Sequence, residues 1–158
     1  MNIVLILHNI RSVYNVGSIF RTADAGGVSK IYLIGVTPTP KDRFGGFRKD
    51  FSKVALGAEK IVEWERVEEF FRVCEKLKKD GFEVLAVEQD KRSIPYNEYR
   101  LNKKNSRIAL VFGEETKGLQ KSVLDKCDEV LEIPMRGKKE SLNVSVAVGI
   151  VVFHLTHN

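Results

Sequence analysis

Three short segments of the chain combine polar side chains and glycines at spacings that could carry chemistry. The first is Asn9–Ala23, the second Phe112–Leu119 and the third Ile133–Ser145. Each adjoins an apolar run. Amide, guanidinium, carboxylate and hydroxyl groups next to glycines can bind a polar ligand close to the backbone. These segments therefore contain the candidate functional residues.

Taken one at a time, the polar residues of these segments also have structural explanations. Asn15 stands at the start of a helical pattern, where an Asn side chain typically caps the helix. Arg21 lies six residues further on, so the two side chains share a side of that helix only loosely. Gly113 follows an apolar strand and serves either a close ligand approach or a tight turn. Glu115 is a candidate acid or an exposed carboxylate at a helix start.

Several common functional signatures do not occur in the sequence. It contains neither GxGxxG after a strand, nor GxxxxGK[ST], nor HExxH, which argues against the usual nucleotide and zinc sites. The three histidines (His8, His154 and His157) are scattered, and Cys74 and Cys127 lack CxxC spacing. We therefore expect no metal site and no disulfide framework, which fits a reducing cytosol best.

Apolar segments flanking the polar ones predict the elements that must hold them. Continuous runs rich in β-branched residues predict buried strands at Ile3–Leu7, Lys30–Ile34, Glu83–Val87 and Ile108–Phe112. Helical spacing predicts one helix from Asn15 to Gly26 and another over Glu65–Lys79, which has acids in its first turn and lysines in its last. This alternation predicts an α/β domain with a parallel sheet, helices on both faces and ligands beyond the carboxyl ends of the strands.

The segment VSVAVGIVVF near the C-terminus permits two interpretations. Its β-branched residues and partial alternation favour a strand. The length of Ser141–Leu155, which is apolar nearly all round, favours a buried helix capped by Ser141 or Asn143. It is shorter than the roughly 20 residues of a membrane span, and the N-terminus shows no export signal. We therefore expect no membrane anchor.

Size and composition are those of one ordinary globular domain, residues 1–158. With 43% hydrophobic and 30% charged residues, the chain is neither mainly disordered nor a coiled coil. The 26 Lys and Arg exceed the 21 Asp and Glu, which gives a net charge of +5. Basic residues concentrate between Lys41 and Lys60 and between Lys91 and Arg107. These segments indicate either a polyanionic partner or a solvated basic surface.

In their order and spacing, the three polar segments resemble the motifs of the SpoU/TrmH family of SPOUT methyltransferases. The matching patterns are NxGxIxRTADAxG, FGxExxGL and IPMxGxxxSLNVSVA, and together they bracket residues 9 to 153. The resemblance covers essentially the whole chain and leaves nothing for a separate RNA-binding domain. It implies a minimal catalytic domain that transfers a methyl group from S-adenosylmethionine to a ribose 2′-hydroxyl of tRNA or rRNA.

The same resemblance implies a fold that general rules would not propose, because knots are essentially absent from proteins. Relatives have the SPOUT fold, a mostly parallel sheet whose C-terminal part, here Ile108–Leu155, forms a deep trefoil knot. It also implies that the last segment is a helix beginning near Ser141. Knot loops hold S-adenosylmethionine mostly through the backbone, and the matching positions here are Gly113, Ile133, Leu142 and either Val87 or Glu88.

The family resemblance assigns the catalytic role to Arg21, with Asn15, Glu115, Ser141 and Asn143 arranged around it. Family accounts often make the arginine the base that removes the 2′-hydroxyl proton. Because Arg is not normally deprotonated in proteins, a guanidinium that binds phosphate and stabilises the developing oxyanion is physically easier. Both roles predict a loss of activity without Arg21.

The expected partners are RNA and a second copy of the chain, in the cytoplasm. Basic loop residues are candidates for contacts with RNA phosphates: Arg11, Arg43, Arg48, Lys49 and Arg136. Relatives assemble active sites at a homodimer interface, and the first and last predicted helices carry more apolar surface than one small sheet covers. Two other functions stay open, a non-catalytic RNA-binding module and a SPOUT enzyme that methylates a base.

Overall fold

A parallel sheet forms the centre of the molecule, which we describe from a computed structural model of residues 1–101 and 106–158. Its strands are β1 (Asn2–His8), β2 (Lys30–Ile34), β3 (Glu63–Val67), β4 (Glu83–Val87), β5 (Ile94–Pro95), β6 (Arg107–Gly113) and β7 (Glu129–Glu132). They lie in the order β3-β2-β1-β6-β4-β7-β5, with every neighbouring pair parallel. Lys103 and Lys104, in the second basic segment, lie outside the described residues.

Helices cover both faces of this sheet. They are α1 (Val13–Ala25), α2 (Lys49–Ala55), α3 (Phe70–Lys79), α4 (Lys121–Leu124) and α5 (Val144–His157). Alternate side chains of β1 enter two separate cores. Leu5 packs in the core with α1, α2 and α5, whereas Ile6 packs in the core with α3 and α4. Because both faces are buried, the central strands are continuous apolar runs without alternation.

The predicted parallel α/β architecture and its four predicted strands are confirmed. Each observed strand matches its predicted bounds or extends them by one residue at each end. The first predicted helix is also confirmed, and it ends at the glycine pair, where Gly27 has a φ of +71°. Its start differs, because α1 begins at Val13 and the Ser12 hydroxyl accepts a hydrogen bond from the backbone N–H of Asn15 at 3.1 Å. The prediction that Asn15 caps the helix is wrong.

The helix predicted over Glu65–Lys79 is correct only in its later part. Residues Glu63–Val67 form the edge strand β3, which pairs with β2, and α3 begins at Phe70. Lys30 of β2 forms ion pairs with both Glu63 and Glu65, each at 2.9 Å. Cross-strand pairs of this kind stabilise a strand locally and are invisible to helical periodicity. The acids of this segment therefore precede the helix.

The last apolar segment is a helix, as its length and the family resemblance predicted. It begins at Val144, three residues after Ser141, and Asn143 is its N-cap because the Asn143 side chain accepts a hydrogen bond from the Ser145 N–H at 2.9 Å. Val148, Val151 and Val152 are completely buried. In residues 1–101 and 106–158, no helix is long and apolar enough to cross a membrane.

Helices α1 and α5 approach each other closely at the end of α1. A Cβ atom placed on Gly26 would lie 2.6 Å from Cγ1 of Val152, a buried side chain with little freedom to turn away. Gly26 has a φ of −87°, which any residue can adopt. Its lack of a side chain is therefore required by helix packing and not by the backbone.

Replacing Gly26 with Ala should force the two helices apart. Overpacking destabilises the folded state by about 1–3 kcal/mol. Alanine also lowers the entropy of the unfolded chain, which stabilises the protein by about 0.4–1 kcal/mol. We therefore expect the free energy of unfolding to fall by roughly 1–2 kcal/mol. Urea denaturation measures this loss. Gly137→Ala is the matched control, because no atom of residues 1–101 and 106–158 lies within 4 Å of its Cβ position. Equal stability of the two variants would show that α1 and α5 do not touch at Gly26.

Candidate active site

A cavity of about 330 Å³ opens beyond the carboxyl ends of β4, β6 and β7. Its walls are the segments that follow these three strands, together with the first turn of α5. Parallel α/β sheets bind their ligands at this edge. The volume lies at the lower end of the range of roughly 300–1,000 Å³ that is usual for small-molecule sites.

Seven of the ten residues expected to contact the cofactor or serve catalysis line this cavity: Val87, Glu88, Gly113, Glu115, Ile133, Ser141 and Leu142. The other three, Asn15, Arg21 and Asn143, do not line it. Four carboxylates and one lysine stand on the wall: Glu88, Glu114, Glu115, Glu140 and Lys117. The excess of carboxylates favours a cationic ligand.

The carboxylate of Glu88 is engaged by the protein itself. Its Oε2 accepts a hydrogen bond from the Leu119 N–H at 3.0 Å, and its Oε1 accepts one from the Gln89 N–H at 2.9 Å. Glu88 thereby ties the segment after β4 to the segment after β6. Gly118 allows this contact, because a Cβ there would lie 2.4 Å from Glu88 Oε2. The Glu88 N–H also donates to the Leu131 carbonyl at 2.9 Å, which leaves the Glu88 carbonyl as the group best placed to meet a ligand.

Gly113 is required by the path of its own loop. A Cβ at this position would lie 2.8 Å from the backbone carbon of Gly118 and 2.8 Å from Cδ2 of Leu119. A bulkier residue would therefore displace the turn formed by residues 114–118. The sequence suggested either a close ligand approach or a tight turn, and the structure supplies the physical reason for the turn.

Asn15 joins all three motif segments through one side chain. It is 7% exposed, its Nδ2 donates to Glu115 Oε1, and its Oδ1 accepts a hydrogen bond from Asn143 Nδ2 at 3.1 Å. Asn143 Oδ1 in turn accepts from the N–H and the hydroxyl of Ser145. We call Asn15, Glu115 and Asn143 the amide bridge. It fixes α1, the loop after β6 and the start of α5 relative to one another.

Arg21 is exposed on α1 and does not belong to the amide bridge. It also forms no hydrogen bond or ion pair with any residue in the described part of the chain. Within one chain, the expected catalytic arginine therefore stands outside the cavity, with its guanidinium available to another molecule.

The end of β1 carries a histidine and an ion pair beside the cavity. Burial lowers the pKa of His8, and the nearby Glu114 carboxylate offsets part of that effect. The lowered pKa favours the neutral form of the imidazole. Arg11 Nε lies 3.8 Å from Glu114 Oε2 but 77% of the Arg11 side chain is exposed, so its charge stays accessible.

Sequence reasoning missed the residues that hold the neighbouring loops. The hydroxyl of Thr37, which is 1% exposed, accepts a hydrogen bond from the Ile10 N–H and donates toward the carbonyls of Leu7 and Ile34. Asn9 has a φ of 55° and accepts a hydrogen bond from the Val36 N–H at 3.1 Å. The sequence signal for Asn9 was its residue type, because Asn favours the left-handed region. Thr37 gives no comparable signal.

The basic residues predicted to contact RNA lie on segments that leave the carboxyl edge of the sheet, and all but the half-buried Arg48 are exposed. Arg43, Lys49 and Arg136 are exposed, and Arg136 lies in the loop between β7 and α5. Arg48 differs from them, because its Nε and Nη2 donate to the two carboxylate oxygens of Asp50 at 3.1 and 2.8 Å. Its charge is therefore partly neutralised.

Replacing Asn15 with Asp should weaken the amide bridge in a pH-dependent way. The variant loses the donor to Glu115 and sets two carboxylates against each other, so we expect unfolding free energy to fall by roughly 1–3 kcal/mol at pH 7. Mutual repulsion raises carboxyl pKa values in the folded state, so the loss should shrink as the pH falls toward about 5. Urea denaturation at both pH values measures it.

The double variant Asn15→Asp/Glu115→Gln is the control for this prediction. Gln at position 115 restores an amide donor facing the new carboxylate, so stability at pH 7 should recover and its pH dependence should disappear. An Asn15→Asp variant as stable as wild type at both pH values would show that the bridge is not formed in solution.

Comparisons with known proteins agree with this geometry. The sequence profile of the SpoU rRNA Methylase family matches residues 2–153. The 23S rRNA (guanosine-2'-O-)-methyltransferase RlmB of Escherichia coli strain K12 is 34% identical over 150 residues, which are 95% of this chain and 58% of that protein. This chain spans 57% to 58% of the length of such curated relatives.

Solved structures show the same fold over nearly the whole chain. The AdoMet-bound rRNA methyltransferase from Sinorhizobium meliloti has a TM-score of 0.87 at 26% identity, covering 99% of this chain and 56% of that chain. A protein solved in work on the 2-OH methylation of C/U34 on tRNA has a TM-score of 0.77 at 28% identity, covering 97% of this chain and 93% of that chain. Sequence profile, fold and the convergence of the motif segments agree, and the chain belongs to the SpoU rRNA methylase family.

Proposed function

We propose that the protein is an S-adenosylmethionine-dependent methyltransferase that modifies a ribose 2′-hydroxyl of tRNA or rRNA. The observation that carries this proposal is the convergence of the second and third motif segments on one cavity, with the first segment tied to both by the amide bridge. Family membership and the RNA 2′-O-methyltransferase activity named for a relative support it.

The cavity fits S-adenosylmethionine in its chemistry. Phe112, Val144 and Ala147 give it an apolar wall for a base, and its carboxylates suit a ligand with sulfonium and ammonium charges. The residues proposed to hold the cofactor are Gly113, Ile133, Leu142, Val87 and Glu88. Glu88 acts through its backbone carbonyl, since its carboxylate and its N–H are engaged. When bound, the cofactor supplies the electrophilic methyl group.

The protein's own residues orient and polarise the ribose. Glu115 Oε1 is held by Asn15, and among the described residues none donates to Glu115 Oε2. This free oxygen accepts the hydrogen bond of the 2′-hydroxyl, so that a lone pair of the hydroxyl oxygen points into the cavity, and it takes the proton that the hydroxyl loses on methyl transfer. The Arg21 guanidinium binds an adjacent phosphate and stabilises the negative charge that develops on the 2′-oxygen. Ser141 and Asn143 position the third segment beside them.

We propose that the active site is completed in a homodimer through α1 and α5. Both helices expose large hydrophobic side chains: Tyr14 is 67% exposed, Val146 49% and Phe153 39%. Apolar residues exposed on adjacent helices typically mark an interface between subunits. A second copy also explains Arg21, which lies outside the cavity of its own chain and would reach that of the partner subunit.

The remaining proposals concern fold topology, domain organisation and location. We propose that residues 1–158 act as one domain and that Ile108–Leu155 forms the trefoil knot. In support, β7 lies between β4 and β5 although it follows both in the chain, and Gln89 Nε2 donates to the Glu140 carbonyl before α5 returns to α1. The RNA substrates named for relatives support a cytoplasmic enzyme, and Cys74 and Cys127 are free thiols.

Arg21→Ala should remove catalysis and leave the fold intact. Because Arg21 is exposed and lacks partners in the described part of the chain, the melting temperature and the calorimetric affinity for S-adenosylmethionine should stay at wild-type values. Transfer of a radiolabelled methyl group to total RNA should fall at least about 100-fold. Full activity of the variant, or no cofactor binding by wild type, would contradict the proposal.

Subunit mixing tests whether the partner subunit supplies Arg21. Leu142→Arg puts a cation into the cavity and should abolish cofactor binding, so it and Arg21→Ala are each inactive alone. Each mixed dimer would contain one intact site, in which the cavity of the Arg21→Ala subunit meets Arg21 of the Leu142→Arg subunit. Random exchange should restore about a quarter of wild-type methyl transfer. No restoration after verified exchange, or a monomeric molar mass by light scattering in active enzyme, contradicts the shared site.

A further inference from the structure

The loop Lys41–Arg48 between β2 and α2, here called the basic loop, is a short hairpin with a fixed tip. Lys41 pairs antiparallel with Phe47, and the Asp42 N–H donates to the Gly46 carbonyl at 2.8 Å. Asp42 Oδ1 accepts hydrogen bonds from the N–H groups of Phe44 at 2.8 Å and Gly46 at 3.1 Å. The carboxylate of Asp42 therefore shapes the tip.

Phe44 stands at this tip and is 83% exposed. The guanidinium carbon of Arg43 lies 4.8 Å from its ring centroid. One cation on a ring that is so exposed leaves the other face of the ring open. Because a Phe side chain normally gains roughly 1.5–3 kcal/mol by burial, a ring held in water by a defined turn indicates a ligand that covers it.

Further cations lie on the stem of the basic loop and on the helix that follows it. Lys41 and Lys60 each lie 5.2 Å from the centroid of Phe47, on the stem of the loop, and Lys49 and Lys53 follow on α2. The two neighbouring acids are engaged, Asp42 by the turn and Asp50 by Arg48. The basic loop therefore presents an aromatic face within a positive field, which complements a nucleic acid strand and not an apolar protein surface.

The basic loop leaves the sheet at the same edge as the cavity. It follows β2, which is two strands from β6, so the strand ends are roughly 10 Å apart. Thr37, just before the loop, is bonded to the backbone of Ile10 and Leu7, beside Arg11. An RNA strand with one ribose at the cavity could therefore pass Arg11 and reach the basic loop.

From these observations we infer that Phe44 is a stacking platform for an unpaired nucleobase of the RNA. Arg43 lies behind the ring, and the lysines contact the neighbouring phosphates of the RNA backbone. This inference rests on the proposed function and deepens it, because it makes the substrate single-stranded where it meets the basic loop. A paired base inside a helix has no free face to offer, so a continuous duplex cannot use Phe44. Recognition of unpaired bases on aromatic rings is common in RNA-binding proteins.

The test compares binding of two probes to the full chain by fluorescence anisotropy at about 0.1 M salt: an oligouridylate of about 12 nucleotides and an RNA duplex of the same length. Phe44→Ala and Phe44→Leu should weaken oligouridylate binding roughly 5- to 150-fold, as expected for loss of one base–aromatic stack. Phe44→Trp should keep wild-type affinity. Duplex binding should change less than about twofold in all three variants, and the salt slope should not change.

Two control variants separate stacking from general effects. Phe71→Ala removes another exposed Phe, 41% exposed on α3, and should bind both probes as wild type does. The triple variant Arg43→Glu/Arg48→Glu/Lys49→Glu should weaken both probes and flatten the salt slope, because it removes phosphate contacts. In a Trp64→Phe background, which removes the single native Trp, the fluorescence of Phe44→Trp should be quenched by oligouridylate.

Three results would overturn the inference. Phe44→Ala could bind oligouridylate with wild-type affinity, or the Phe44 variants could lose equal affinity for both probes. The third is a molar mass of the Phe44 variants that differs from that of wild type, which would place Phe44 in a contact between protein subunits. If wild type binds both RNAs and transfers methyl groups while the Phe44 variants are unaffected, only the stacking inference fails. If wild type binds neither RNA, the proposed function fails as well.

Discussion

The pairing of β1 with β6 is the constraint on which the rest of the structure depends. These strands are far apart in sequence but are paired from Asn2↔Arg107 to His8↔Gly113, at the centre of the sheet. Because they are parallel and in register, the residues after His8 and after Gly113 leave the sheet side by side. The first and second motif segments therefore meet before any side chain of the site makes a bond.

Hydrogen bonds between side chains then fix the positions of the motif segments that the strands have brought together. Asn15 bonds to residues 100 and 128 positions away, Glu115 and Asn143, and it is nearly buried, so both ends of its amide must be satisfied. The Glu88 carboxylate likewise links the loop after β4 to the loop after β6 by a hydrogen bond. A buried amide with one partner missing costs more than the bond itself contributes, so these contacts specify one arrangement of the loops.

Much of the fold could be predicted from the sequence, because the central strands are apolar on both faces. The elements missed were the strands β3, β5 and β7 and the short helices α2 and α4. Ile94–Pro95 and Glu129–Glu132 are too short to show a period, and β3 is an edge strand whose charges pair with Lys30 across the sheet. The exact start of α5 was set by Asn143, one of two caps that the sequence allowed.

The candidate site was predictable as a set of positions but not as a set of contacts. The family resemblance named seven residues that line the cavity. It could not show that the carboxylate of Glu88 is used internally, that Asn15 is a bridge and not a cap, or that Arg21 stands apart. Each of these depends on partners distant in sequence, which neither periodicity nor local propensity contains.

Within the net charge of +5, negative and positive side chains are separated in space, as the proposed reaction requires. A cationic cofactor and an anionic RNA must be held next to each other, so one uniform field would repel one of them. Carboxylates predominate in the cavity, whereas Arg11, Arg136 and the basic loop carry the cations around it. Arg11, 3.8 Å from Glu114, and Arg136 stand at the border of the cavity. The basic loop is further away, because the strand ends of β2 and β6 are roughly 10 Å apart, about one Debye length at 0.1 M salt. The sheet thus separates the basic loop from the carboxylates of the cavity by placing them on different strand ends of the same edge.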